Sequence, residues 1–220
     1  MDRTLEPEIM ADGEQSLAYA NADFSISNQR FVDHLIANHS TALRKVIDIG
    51  CGPCDVMLRL ADARPDVRII AIDGSAAMIN LANQAVRTAH REARITVMQG
   101  FIPGLSVPEH SFDAILSKDL LHHLPDPAVL WREAQRLGRP GATVCVMDLI
   151  RPSTQQDARD IVDKVARHEA SILKEDFYNS LCAAFTIEEA MAQLQHAGLP
   201  LKVSRIGDRH MLIGGVLPSE

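Results

Sequence analysis

The sequence predicts an α/β fold, a doubly wound and mostly parallel sheet of seven strands whose last strand runs antiparallel. Three observations predict it. Short apolar runs that read as buried strands alternate with helix-length segments between residues 46 and 148, the pattern of a parallel sheet with right-handed crossovers. The first run passes directly into an acid-x-Gly-x-Gly turn, Asp48-Ile-Gly50-Cys-Gly52. Near the end of the chain, residues 201–205 and 209–216 flank Ile206-Gly-Asp208, a hairpin connection that reverses the final strand.

Each element has its own signal. Residues 27–40 place Phe31, Val32, Leu35 and Ile36 at helical spacing ahead of the first strand. Val46-Ile47-Asp48-Ile49 is apolar enough for a strand buried on both faces, and Gly50 and Gly52 let the backbone turn sharply and approach a ligand. Arg68-Ile-Ile-Ala-Ile-Asp73 reads as the second strand, with Ser75 as the N-cap of the helix after it. Residues 94–101 and the segment opening at Phe112 read as the third and fourth strands. The turn Arg139-Pro-Gly141 announces a fifth over residues 141–148. Residues 151–185 form an insertion too long for a plain connection, read either as a substrate cap or as a core-packing helix. In it Ile161, Val165, His168, Ile172 and Leu173 fall near helical spacing, and Phe177, Tyr178 and Phe185 make an aromatic cluster that suits a small, partly apolar acceptor or serves the core. A helix over 186–198 precedes the hairpin.

Composition fits one globular domain over residues 1–220, divided into an N-terminal helical cap (1–40), a core (43–150), the insertion (151–185) and a C-terminal helix with hairpin (186–220). The chain is 46% apolar and 23% charged, ordinary soluble usage. No apolar run approaches the roughly 20 residues of a membrane helix, and the acidic N-terminus has no signal-peptide pattern. A cytoplasmic protein, monomeric or homodimeric and without a membrane partner, is the expectation. A formal charge of −7 with no basic block argues against nucleic acid, whose backbone is held by clustered Lys and Arg.

Asp48 narrows the ligand. A carboxylate at this turn repels the pyrophosphate that a dinucleotide fold places near a helix N-terminus, and it welcomes an ammonium group. A cofactor with a cationic amino-acid tail and a ribose but no phosphate fits, and S-adenosylmethionine is the common one. Asp73 stands 25 positions after Asp48, near the spacing at which an acid reaches a ribose hydroxyl. A nicotinamide-dependent oxidoreductase is disfavoured by Cys54 in place of the third Gly.

These motifs, together with Phe112-Asp-Ala-Ile-Leu-Ser-Lys-Asp-Leu-Leu-His-His-Leu-Pro-Asp-Pro127, resemble those of the class I S-adenosylmethionine-dependent methyltransferases over residues 43–150. The resemblance implies a methyl donor leaving as S-adenosylhomocysteine. It implies a cofactor site built from Asp48, Gly50, Cys51, Gly52, Asp73, Gly74, Met78, Gln99, Gly100, Phe101, Ser117, Lys118 and His122. Asp73 would take the ribose hydroxyls and Met78 the adenine face, and His122 and His123 would face the transferred methyl. Two positions depart from the family pattern. Phe101 stands where an acid often binds the adenine amino group, leaving Gln99 to offer an amide and Phe101 a ring, and Cys54 stands where many relatives have Gly.

Methyl transfer asks mainly for positioning, because the donor is already electrophilic. A hydroxyl, thiol or ammonium acceptor must still lose a proton, and His suits that task at neutral pH. His122, His123 and Asp119 are therefore the catalytic candidates, with Lys118, Asp148 and His210 behind them. His34, His39 and His90 read as solvated. The expected function is transfer of a methyl group to O, N or S of a small molecule. A protein side-chain methyltransferase and a non-catalytic cofactor-binding regulator are the alternatives.

Cys51-Gly-Pro-Cys54 spells a redox motif, but its place inside the glycine turn makes the match a coincidence. A helix dipole would favour its thiolate and so reversible oxidation. Cys51, Cys54, His122 and His123 share one edge of the sheet and are zinc-like in type. No metal is expected, because adjacent histidines point apart.

Overall fold

The computed structural model describes residues 1–6, 13–38 and 43–219. His39 and Ser40 lie outside the described residues. The elements run α1 (Gly13–Asn21), α2 (Ser25–Asn38), β1 (Lys45–Ile49), α3 (Asp55–Ala63), β2 (Arg68–Asp73), α4 (Ala76–Thr88), β3 (Ile95–Gln99), β4 (Phe112–Lys118), a 3-10 turn (Leu121–His123), α5 (Ala128–Leu137), β5 (Gly138–Leu149), α6 (Gln155–Val165), α7 (Ser171–Ala183), α8 (Ile187–Ala197), β6 (Lys202–Ile206) and β7 (His210–Val216).

The sheet order is β3-β2-β1-β4-β5-β7-β6. β7 is antiparallel to both its neighbours, and the pairs among β1 to β5 are parallel, as the sequence predicts. Alternate residues on each strand feed two separate cores, as the period-2 geometry of a strand requires. Val46, Ala114, Leu116, Cys145 and Met147 face α2, α3 and α4 through Phe31, Leu35, Met57, Leu60 and Val86. Ile47, Ile115, Val144, Val146 and Ile213 face α5 and α8 through Leu130, Trp131, Leu137 and Leu194. With both faces covered, the central strands are continuous apolar runs.

The strand order reverses between β1 and β4. Ligands of open α/β sheets bind outside the carboxyl ends of the strands at such a point, and this edge gathers Asp48, Asp73, Asp119 and Asp148. At the opposite edge, Asp113 of β4 accepts from the main-chain N–H groups of Arg44 (2.8 Å) and Lys45 (2.9 Å). Arg139 of β5 pairs with its other oxygen at 2.8 Å. One carboxylate thus sets the start of three adjacent strands.

Helix ends follow the local chemistry. Ser75 caps α4 by accepting from Met78 N, as predicted. Thr154 and Thr186 open α6 and α8 with capping boxes to Asp157 and Glu189, and Gly198 closes α8 in the left-handed conformation.

In the insertion, the sequence pattern names only part of the buried face: Ile161 packs against it and Leu173 is buried, but Val165 and His168 are not. α6 ends at Val165, which is 40% exposed, and His168 lies exposed beyond it. The buried stripe is Ala158, Val162 and Ala166, packed with Leu149, Leu181 and Ala184, and Phe177 and Tyr178 pack against this cluster. Phe185 joins the main core, so the aromatics serve packing.

Replacing Asp113 with Ala should lower the unfolding free energy by about 2 kcal/mol, because two main-chain donors lose their acceptor. The measurement is the denaturant midpoint at unchanged slope. A midpoint equal to that of the wild type would mean that the clamp carries no energetic weight.

Candidate active site

The cofactor side begins at the end of β1. Gly50 and Gly52 both adopt left-handed backbone, at φ +83° and +51°. A Cβ at Gly50 would stand 2.9 Å from Leu120 Cβ, whereas at Gly52 the nearest atom is Tyr19 Cε1 at 4.0 Å. Gly50 is therefore needed for both conformation and space, and Gly52 leaves its backbone open to close approach. The Gly52 N–H donates to Asp73 Oδ2 at 2.8 Å, and the Ser75 N–H donates to Oδ1 at 2.8 Å. Asp73 is thereby fixed at the end of β2, against the first turn.

A cavity of about 720 Å³ lies over this turn, lined by Asp48, Gly50, Cys51, Gly52, Lys118 and Asp119 from the sheet edge and Tyr19 from α1. Burial and the neighbouring Asp73 push the Asp48 carboxyl up to about 7, against the pull of Lys118. A buried acid short of cationic partners suits an incoming ammonium group. These residues fit a cofactor with an amino-acid end at Asp48 and a ribose at Asp73.

The other predicted residues of this side divide. Gly74 sits under the Phe101 ring, where a Cβ would meet Phe101 Cε1 at 2.7 Å. Phe101 is 60% exposed and Met78 only 3%. Gln99 donates its amide to Gly74 O at 2.9 Å, so that donor is already engaged. A Cβ at Gly100 would stand 2.9 Å from Leu105. Ser117 has no exposed surface, and its hydroxyl donates to Ile49 O at 2.7 Å; it ties β4 to β1 and presents nothing to a ligand. Cys51 is pushed well above the ordinary thiol range by a hydrogen bond with the free thiol of Cys54, by burial and by Asp48, opposite to the direction expected from the helix dipole.

The side that carries the predicted catalytic residues is organised by Asp148, fully buried at the end of β5. Its carboxylate accepts from Leu121 N (2.7 Å), Leu149 N (2.8 Å) and His122 Nδ1 (2.7 Å). Facing a carboxylate, Nδ1 carries a proton, which leaves Nε2 as the nitrogen that titrates. Burial lowers the His122 pKa, but Asp148, Glu6 and Asp119 outweigh it and leave the imidazole above its ordinary value. His123 is held down to about 3 by burial and by the charge of His122.

Asp119 adopts left-handed backbone at φ +55°, a strained conformation most accessible to Asp, Asn and Gly. Burial raises its pKa, but its ion pair with Lys118 and the nearby His210 bring it down to about 2. His210 Nε2 lies 3.9 Å from Asp119 Oδ1, and burial lowers the imidazole to about 4. Tyr19 is raised by burial and by Asp119, Asp73, Asp148 and Glu6.

The N-terminal strand of chain over this region carries no signal in its residue pattern. Arg3 donates to His122 O, Leu124 O and Ala183 O, and Thr4 N to Cys182 O. Glu6 follows, accepting from Ser180 Oγ at 3.1 Å. Its carboxylate lies 3.7 Å from His122 Nε2 and 3.3 Å from His123 Nδ1. Burial drives Glu6 up to about 7, with His122 opposing. A hydrophobic or charge-run reading could not find Glu6, because its partners come from the 3-10 turn and α7.

Comparison with known proteins agrees with this arrangement. Residues 47–146 match the family described as Methyltransferase domain. The chain is 28% identical over 156 residues to the 27-O-demethylrifamycin SV methyltransferase of Amycolatopsis mediterranei, covering 70% of this chain and 53% of that protein. It is 32% identical over 120 residues to the ubiquinone biosynthesis O-methyltransferase of Methylococcus capsulatus, covering 52% and 47%. The chain spans about half the length of these relatives. Among solved structures, the plantazolicin methyltransferase BpumL in complex with a pentazolic desmethylPZN analog and SAH superposes at TM-score 0.73 and 14% identity, covering 93% and 90%. A SAM-dependent methyltransferase from Aquifex aeolicus gives 0.68 at 17%, covering 92% and 98%. These last likenesses show the fold. The matched segment, the strand order and the glycine turn agree with the fold of the class I S-adenosylmethionine-dependent methyltransferases, and residues 47–146 match their domain.

Proposed function

We propose that the protein transfers a methyl group from S-adenosylmethionine to an O, N or S atom of a small molecule. The observation that carries the small-molecule reading is the cover over the acceptor side. Residues 1–6 lie over the turn that bears His122, through Arg3 and Glu6, leaving its side chain 3% exposed. A protein side chain would need an open groove. Relatives named for rifamycin and ubiquinone methylation support the same reading. Among the described residues no helix is long and apolar enough to cross a membrane.

The cofactor, when bound, supplies an electrophilic methyl group. Asp48 takes the ammonium end and Asp73 the ribose hydroxyls, while the Gly50–Gly52 turn allows close approach. His122 accepts the acceptor's proton at Nε2, with Asp148 fixing its tautomer through Nδ1. Asp119, held ionised by Lys118, orients the acceptor. His123 crowds His122 and keeps water away from its ring.

Calorimetric titration of S-adenosylmethionine tests the cofactor frame. Asp73→Ala should weaken binding at least tenfold, since a charge-assisted bond to ribose contributes about 2 kcal/mol; equal affinity would remove Asp73 from the site. Protonated Asp48 cannot pair with the ammonium group, so affinity should rise about tenfold from pH 5.5 to pH 7 and flatten in Asp48→Asn. Over that window the cofactor's own amino group stays protonated. A slope retained in Asp48→Asn would assign the titration elsewhere. In a labelled-methyl acceptor screen, His122→Ala should keep cofactor affinity and lose about 10²- to 10⁴-fold in turnover; undiminished turnover would exclude His122 as the base.

A further inference from the structure

We propose that Glu6, His122 and His123 form a binding site for a divalent transition-metal ion of the zinc class. One ligand atom from each residue lies within 4.8 Å of the other two. Glu6 Oε2 is 3.3 Å from His123 Nδ1 and 3.7 Å from His122 Nε2. A tetrahedral ion with bonds of roughly 2.0 to 2.1 Å spaces its ligands about 3.3 Å apart, so small side-chain adjustments close the site. The two histidines are consecutive in the 3-10 turn, yet their rings lie side by side with centroids 4.2 Å apart and 35° between planes. This is the opposite of the divergence expected from adjacency in sequence. Cys51 and Cys54 take no part in the grouping.

The surroundings match those of a metal site. His122 keeps Nε2 free for an ion because Nδ1 donates to Asp148 at 2.7 Å, the carboxylate-histidine arrangement that orients a ligating imidazole. Ser180 Oγ donates to the Glu6 carboxylate at 3.1 and 3.2 Å. Among the described residues His123 Nδ1 is buried without a hydrogen-bond partner, an arrangement that an ion would resolve. Two nitrogens and one carboxylate oxygen favour zinc-like ions over magnesium or calcium, which take oxygen ligands. Three protein ligands leave a tetrahedral ion one further position. Resting on the methyl-transfer reading, the bound ion would occupy the Nε2 lone pair that takes the proton, so metal binding and turnover exclude one another.

The test is titration of chelator-treated protein with Co²⁺ followed by visible absorption, then competition with Zn²⁺. One Co²⁺ per chain should bind, with the bands of a tetrahedral site, and Zn²⁺ should displace it. Glu6→Gln and His123→Ala should each weaken binding about tenfold or more, since loss of an orienting partner alone costs about 10- to 100-fold. Ser180→Ala, which removes no ligand, should weaken it less, and cofactor affinity reports whether each variant is folded. Absence of a saturable site in the wild type would overturn the proposal. So would unchanged affinity in folded Glu6→Gln and His123→Ala, or a sulfur-to-cobalt charge-transfer band placing the ion at Cys51 and Cys54. Metal binding is read without an acceptor, so its failure is distinct from failure of the methyl-transfer reading.

Discussion

The buried carboxylate of Asp148 is the interaction on which the surroundings of His122 depend. Its oxygens gather two main-chain N–H groups and one imidazole N–H, locking the 3-10 turn onto the end of β5. A buried carboxylate without such donors would incur a large desolvation penalty. With them, it fixes both the orientation and the tautomer of His122, and Glu6, His123 and the N-terminal residues take their places around that ring. Asp73 does the equivalent on the cofactor side by joining the end of β2 to the glycine turn. Asp113 does it at the far edge of the sheet.

Parallel topology explains why acids collect in this way. Strands buried on both faces must be apolar along their length, so polar groups are confined to their ends, where the sheet's main chain supplies partners. At the carboxyl edge Asp48, Asp119, Asp148 and Glu6 share a poorly solvated space. Their affinities for protons separate according to neighbours: Asp119 is held at about 2 by Lys118 and His210 against its burial, and Glu6 rises to about 7 with burial.

Much of the core was legible in the sequence because continuous apolar runs and glycine turns are local signals. Val46-Ile47-Asp48-Ile49 and its turn identify β1 and the cofactor edge without any distant information, and the hairpin around Gly207 gives β7 its direction. The insertion was legible as helix but only in part as to face, since its buried stripe includes Ala158 and Ala166, which hydrophobic spacing underweights beside Val165. Glu6 and Arg3 were not legible at all. They are polar residues in a short irregular segment, and their meaning comes from partners far along the chain. The same holds for Ser117, a polar residue in a motif that turns out to bridge two strands.

The segment that closes over His122 also has a place in time. Arg3 bonds to residues 119 and 180 positions away, and contacts that close such long loops form late because their entropy must be overcome first. As the chain emerges from the ribosome, β1, β2 and β4 can pair while the first residues still lack Cys182, Ala183 and the finished α7. The glycine-turn edge is therefore able to take shape first, and the surroundings of His122 are completed only when the C-terminal third arrives.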